Sequence, residues 1–160
     1  MRISKKLNDA INTQIGEELK ASNGYANMAA YFNKQGLVKL TDMFFHQSEE
    51  EREHAMKFVH YLLEVDGDMV IPAIPEVFYQ FKSVKEAFET ALNWEKGVTK
   101  NINDLMDLAV EEKDYATQNF LAWYVDEQVE EEATMSQLVL LAEGLKDRSP
   151  LMIERFLPQE

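Results

Sequence analysis

Four stretches of the chain repeat apolar positions at alternating steps of four and three residues, the period of a helix face turned toward a core. The first runs Ile11, Ile15, Glu18, Ser22, Tyr25, Ala29, Phe32, and the second Leu40, Phe44, Gln47, Glu51, His54, Phe58, Tyr61. The third runs Val84, Phe88, Ala91, Glu95, Val98, Ile102, Leu105, Ala109, and the fourth Leu121, Tyr124, Gln128, Glu131, Met135, Leu138, Ala142. The spacing predicts helices over about 4–35, 38–66, 84–112 and 114–143. Ser4, Ser83 and Asp114 serve as N-caps, and Ser83-Val84-Lys85-Glu86 reads as a capping box. Gly36, Gly67 and Gly144 follow the ends of the first, second and fourth helices. Ser149-Pro150 opens a short fifth helix over about 150–157.

The connections between the first and second helices and between the third and fourth are short, so each pair packs antiparallel. The segment between the second and third helices holds Gly67, Pro72 and Pro75 and is not helical. Fully extended it reaches roughly 55 Å, and a helix as long as the second measures about 40 Å. It can therefore run the length of a bundle and leave the second and third helices parallel. In that topology Glu18, Glu51, Glu95 and Glu131 lie about 17, 13, 11 and 12 residues from one shared end, within roughly two turns of one level. The expectation is an all-α four-helix bundle with a long crossover, spanning 1–160 as a single domain.

Each core stripe thus contains one carboxylate. An unpaired buried carboxylate costs several kcal/mol, four together repel one another, and no Lys or Arg falls on these stripes. A bound cation resolves this best. Glu51-Arg52-Glu53-His54 adds an imidazole at i+3, on the same face as Glu51. Such a pair alone occurs by chance on exposed faces. Within a core stripe and facing three carboxylates, it matches the ligand set of a di-metal bundle. Turning these glutamates to solvent would expose Phe44, Phe58, Tyr124 and Met135. Glu127, Glu130 and Glu131 form a second cluster at i, i+3 and i+4 that Glu50 can face. It is a candidate third, looser cation site, although glutamate runs on helices are usually just solvated. Tyr25, two turns after Glu18, either needs only a hydrogen-bond partner or serves the site. Trp123 and the eight Met are assigned to packing, and His46 and His60 to the surface.

Composition narrows the chemistry. The formal charge is −13 with 46% hydrophobic residues, which suits a cation-attracting globular protein and disfavours nucleic acid and anionic membranes. The absence of cysteine excludes thiolate nucleophiles, iron–sulfur clusters and disulfides. No apolar run is long enough for a membrane span or an h-region, so a cytoplasmic protein is expected.

The stretches Glu17-Glu18-Leu19 with Tyr25, Ser48-Glu49-Glu50-Glu51-Arg52-Glu53-His54, Glu95, and Asn119 through Glu132 resemble ferritin, more closely the bacterial and archaeal non-haem ferritins, over essentially the whole chain. The resemblance implies a ferritin-like bundle with a fifth C-terminal helix, forming a hollow homo-oligomeric shell of 24 subunits. It implies ferroxidase activity: Fe²⁺ is oxidised with O₂ or H₂O₂ at two irons per subunit, and ferric mineral is stored. By position, one iron belongs to Glu18, Glu51 and His54. The second belongs to Glu51, Glu95 and Glu131, with Gln128 beside it. A third belongs to Glu50, Glu127, Glu130 and Glu131, and Tyr25 matches the family's tyrosine near the centre. Bacterioferritins carry a second Glu-x-x-His and a haem-ligating Met. Here Glu127-Gln128-Val129-Glu130 lacks a His, and Arg52 and Glu53 fill the Met gap, so no haem is expected. Ferritins line a four-fold axis with the fifth helix, which is short here. Two alternatives use the same chain: a metal-independent bundle, and a di-metal carboxylate oxidoreductase acting on a small substrate without mineral storage.

Overall fold

The hydroxyl of Ser4 accepts a hydrogen bond from Leu7 N–H at 3.1 Å and starts α1, Lys5–Lys34. In the computed structural model, which describes residues 3–146 and 148–157, three more long helices follow. They are α2 (Val38–Glu64), α3 (Val84–Glu111) and α4 (Tyr115–Leu145), and a 3-10 helix, Pro150–Arg155, comes after them. Residues 1, 2, 147 and 158–160 of the expected single-domain span lie outside the described residues. The Ser83 hydroxyl caps α3 at Glu86 N–H, while the Glu86 carboxylate accepts from Lys82 N–H. Asp114 caps α4 at both Thr117 N–H and Thr117 Oγ1.

Three helices end in the same way. The chain turns left-handed one residue past the cap, and the next N–H reaches back to a carbonyl five residues earlier. Leu37 N–H bonds Phe32 O, Gly67 N–H bonds Leu62 O and Asp114 N–H bonds Ala109 O, at 3.0, 2.7 and 2.9 Å. The left-handed residues are Gly36, Asp66 and Lys113. Only Gly36 is a glycine, so α2 stops at Glu64, short of the expected 66. Gly67 instead makes room for a contact: a Cβ there would lie 2.7 Å from Asn8 Oδ1, which accepts from Asp68 N–H. At the other end of the chain, α4 continues through Gly144 to Leu145, past the expected stop at 143. Leu145 is buried in the core, so packing extends the helix by another half-turn. The fifth helix is a six-residue 3-10 turn that buries Ile153 against α4 and the core.

Residues 65–83 form a strap along α1. Asn8 and Asn12 donate to Asp68 O, Asn12 Oδ1 accepts from Val70 N–H, and Pro72 lies on Gly16. Farther along, Asn27 donates to Val77 O, and Tyr31 packs edge-on against Phe81. The strap thus follows α1 from its start to its end, delivering α3 parallel to α2 as its length allows.

The apolar interior falls into two clusters. One holds Phe32, Phe44, Phe88 and Met135; the other holds Ile11, Ile15, Phe58, Ile102 and Tyr124. Glu18, Glu51, Glu95 and Glu131 separate them along every helix. Of the methionines expected to pack, Met28 and Met135 are fully buried, and others pack at the cluster edges.

Gly16 and Gly97 give opposite predictions. A Cβ on Gly16 would meet Pro72 Cγ at 2.5 Å, whereas Gly97, also helical, has nothing within 4 Å. Overpacking costs typically 1–3 kcal/mol, against a helix gain of about 1 kcal/mol for Gly→Ala. Urea unfolding should show Gly16→Ala less stable and Gly97→Ala more stable than the parent. Equal gains at both sites would mean that the strap does not press on α1.

Candidate metal centre

Each long helix contributes one carboxylate to a common layer: Glu18 from α1, Glu51 from α2, Glu95 from α3 and Glu131 from α4. All four are at most 5% exposed, and so is His54. No lysine or arginine pairs with any of them among the described residues. Glu18, Glu51 and His54 can each offer one ligand atom within 4.8 Å of the others, and so can Glu51, Glu95 and Glu131. Glu51 belongs to both sets. His54 Nδ1 lies 3.3 Å from Glu51 Oε2. The imidazole is fixed edge-on against Trp123 and Tyr124, whose hydroxyl donates to His54 O at 2.7 Å.

Burial sets the electrostatics. It raises Glu18 and Glu51 well above the ordinary carboxyl value, and the facing glutamates push both further. A hydrogen bond between the pair raises Glu18 and lowers Glu51. Glu95 is raised by burial, against hydrogen bonds from Tyr25 and Gln128. Glu131 is raised by burial, then by Glu95, to about 8. Glu18 Oε2 is buried with no protein partner. A divalent cation fits such a layer: it neutralises the repulsion and takes the free oxygen without a new side chain.

Buried amides hold the carboxylates in place. Gln14 donates to Glu18 at 2.9 Å, Gln47 to Glu131 at 2.7 Å and to Glu51 at 3.2 Å, and Gln128 to Glu95 at 3.1 Å. Tyr25 is fully buried and donates its hydroxyl to Glu95. Gln128 and Tyr25, which the sequence singles out, both hydrogen-bond Glu95. The sequence assigns no role to Gln14 or Gln47, although each sits one turn before a core glutamate, a spacing that makes them neighbours.

The candidate third cluster is only partly assembled. Glu127 lies 3.8 Å from His54 Nε2 and forms a ligand-capable group with His54 and Glu131. Glu50 raises Glu131, so it is near, but it pairs with His46 at 3.1 Å. Glu130 is exposed and joins none of these groups. His46 and His60 are on the surface as expected. Trp123, assigned to packing, is 38% exposed and lies under the Lys57 ammonium at 4.1 Å.

These shifts set the sign of a pH dependence. Between the ordinary value of 4.5 and about 8, folded Glu131 keeps a proton that the unfolded chain releases. The folded state then binds more protons, so its stability falls as pH rises through that window. At about 1.4 kcal/mol per unit, this one group contributes on the order of a few kcal/mol. Thermal melts of metal-free protein should show a lower Tm at pH 8 than at pH 6, and Glu131→Gln should flatten the slope. Zn²⁺, which needs deprotonated ligands, should stabilise more at pH 8. A metal-free Tm that rises with pH would contradict the repulsion argument.

A family profile described as a ferritin-like domain matches residues 8–144. The bacterial non-heme ferritin of Staphylococcus saprophyticus is 39% identical over 131 residues, covering 82% of this chain and 78% of that protein. Ferritin BfrB of Mycolicibacterium smegmatis is 38% identical over 141 residues, covering 88% of this chain and 78% of that one. Among solved structures, an open pore ferritin from the archaeon Archaeoglobus fulgidus superposes with a TM-score of 0.94 at 37% identity, over 98% of this chain and 99% of that one. A form of that ferritin engineered to be closed gives a TM-score of 0.92. Fold, buried layer and sequence agree, and the chain belongs to the ferritin family.

Proposed function

We propose that this chain stores iron and oxidises Fe²⁺ at its carboxylate layer, with O₂ or H₂O₂ as oxidant. The observation that carries the reading is that two buried ligand sets share Glu51, so two cations held there would be bridged by one carboxylate. Hard oxygen donors with one imidazole suit both Fe²⁺ and Fe³⁺ and favour the higher charge as electrons leave. Glu18 and His54 belong to the first position, Glu95 and Glu131 to the second, and Gln128 orients Glu95. Glu127 and Glu131, with Glu50 and Glu130, would form a looser third position where iron can pause.

Storage needs a shell, and we take the assembly to be a homo-oligomer of 24 copies, as the family resemblance implies. The strap supports assembly: Val70, Ile71, Phe78 and Tyr79 are all about half-exposed or more in the single chain, a surface suited to a second copy. No helix among the described residues is long and apolar enough to cross a membrane, and a cytoplasmic location is part of this proposal.

Stopped-flow absorbance after mixing Fe²⁺ with O₂ tests the centre. Glu51→Ala removes the shared ligand and should slow the fast phase by on the order of 100-fold or more, beyond the cost of losing an outer partner. An unchanged rate would remove Glu51 from the centre. Glu130→Ala should keep the fast phase but change the iron-to-oxygen stoichiometry. Identity with the parent in both phases would leave Glu130 a solvated surface charge. Particles that oxidise Fe²⁺ but retain no more iron than the centres hold would favour the small-substrate oxidoreductase over the store.

A further inference from the structure

Tyr25 is fully buried, hydrogen-bonded to Glu95, and ringed by other aromatics. Two rings touch it edge-on: Phe44, with centroids at 5.9 Å, and Trp94 at 5.7 Å. Phenylalanine cannot be oxidised by one electron under biological conditions; tryptophan can. Trp94 is also built into its place. A Cβ on Gly24 would lie 2.4 Å from its indole, so the missing side chain at 24 leaves room for the outer edge of the ring against α1. Val77 of the strap flanks the same Gly24 position, and Trp94 immediately precedes Glu95 on α3. Unlike Tyr25, Trp94 is partly exposed.

From this arrangement we infer that Trp94 is the electron relay between Tyr25 and solvent during Fe²⁺ oxidation. The inference rests on the proposed ferroxidase reading. O₂ needs four electrons and four protons to become water, and two Fe²⁺ supply two electrons. Tyr25 gives a third electron, and its phenolic proton passes to Glu95. Trp94 then gives one electron to the oxidised tyrosine, Glu95 returns the proton to the phenol oxygen, and the indole is left as a radical cation. A further Fe²⁺ from solution, already the reductant of the reaction, returns one electron to the indole and leaves as Fe³⁺. A second pass along the same route supplies the fourth electron. In total four Fe²⁺ and four protons from solvent reduce one O₂ to two waters. Phe44 cannot replace Trp94 in this sequence. Trp123 packs against His54 and Tyr124 instead, and the Lys57 ammonium over its face disfavours a positive charge there.

Rapid freeze-quench EPR after mixing with Fe²⁺ and O₂ tests the relay. Wild type should show a phenoxyl signal that decays as an indolyl signal rises. Trp94→Phe should lengthen the phenoxyl lifetime at least tenfold, Trp94→Tyr should restore fast decay, and Tyr25→Phe should abolish both signals. If Trp94→Phe does not fold, 4-fluorotryptophan in a Trp123→Phe background keeps the ring shape, and the phenoxyl lifetime should still shift. Pulse radiolysis of the metal-free protein with azide radical adds an arm that needs no iron. In a Trp123→Phe background, which removes the indole that touches Tyr124, indolyl and phenoxyl absorptions should exchange, and the exchange should vanish when Tyr25→Phe is added. An unchanged phenoxyl lifetime in both altered proteins, or no phenoxyl radical in a wild type that oxidises Fe²⁺, would overturn the relay. If wild type fails to oxidise Fe²⁺ while the metal-free exchange persists, the ferroxidase reading fails and the aromatic link stands.

Discussion

Mutual repulsion among four buried carboxylates is the constraint around which this bundle is arranged. Any one of them alone would be costly in a hydrocarbon core, and at one level each raises the cost of the others. The chain meets the problem in three ways visible in the structure. It divides its apolar interior into two clusters, so the charged layer sits between hydrophobic blocks. It places Gln14, Gln47 and Gln128 to donate to the carboxylates, Gln47 to two of them. Burial and the facing acids shift the carboxylates upward, so that each takes up a proton more readily than a free carboxyl does. Glu18 Oε2 is still without a partner, which is the oxygen a cation would take.

Convergence at one level depends on the strap. α1 and α2 could form an antiparallel hairpin unaided, as could α3 and α4. Only a connection as long as the bundle brings the two hairpins together with α2 and α3 parallel. Asn8 and Asn12 anchor its start, and the Asn27 side chain and the Tyr31 ring anchor its end. The same strap flanks Gly24, where Trp94 packs, so the outer loop and the redox-capable aromatics share one piece of architecture.

Much of this is legible in the chain, for a definite reason. A glutamate on a 4,3 stripe conflicts with its apolar neighbours, and conflict of that kind marks a site. Periodicity therefore exposes Glu18, Glu51, His54, Glu95 and Glu131 together, and capping residues locate the helix starts. Helix ends are harder. Asp66 and Lys113 take left-handed turns that composition does not advertise, and the end of α4 is set by the burial of Leu145. Gln14 and Gln47 escape a reading of the sequence because an amide becomes conspicuous only once its carboxylate is known to be buried. The fit of Trp94 against Gly24 joins residues on different helices, a pairing no local pattern encodes. Glu130 is an ordinary surface glutamate in the single chain, Glu50 is half-buried and pairs with His46, and Glu127 approaches the buried layer through His54.

The central claim is that this layer is a pair of metal positions bridged by Glu51, and anomalous diffraction from crystals soaked in Fe²⁺ without oxygen tests it most directly. Data collected above and below the iron edge should show two peaks per chain. One should lie among Glu18, Glu51 and His54 and the other among Glu51, Glu95 and Glu131, with Glu51 oxygens bound to both. At saturating Fe²⁺, an empty layer, or one ion not bound by Glu51, would contradict the account.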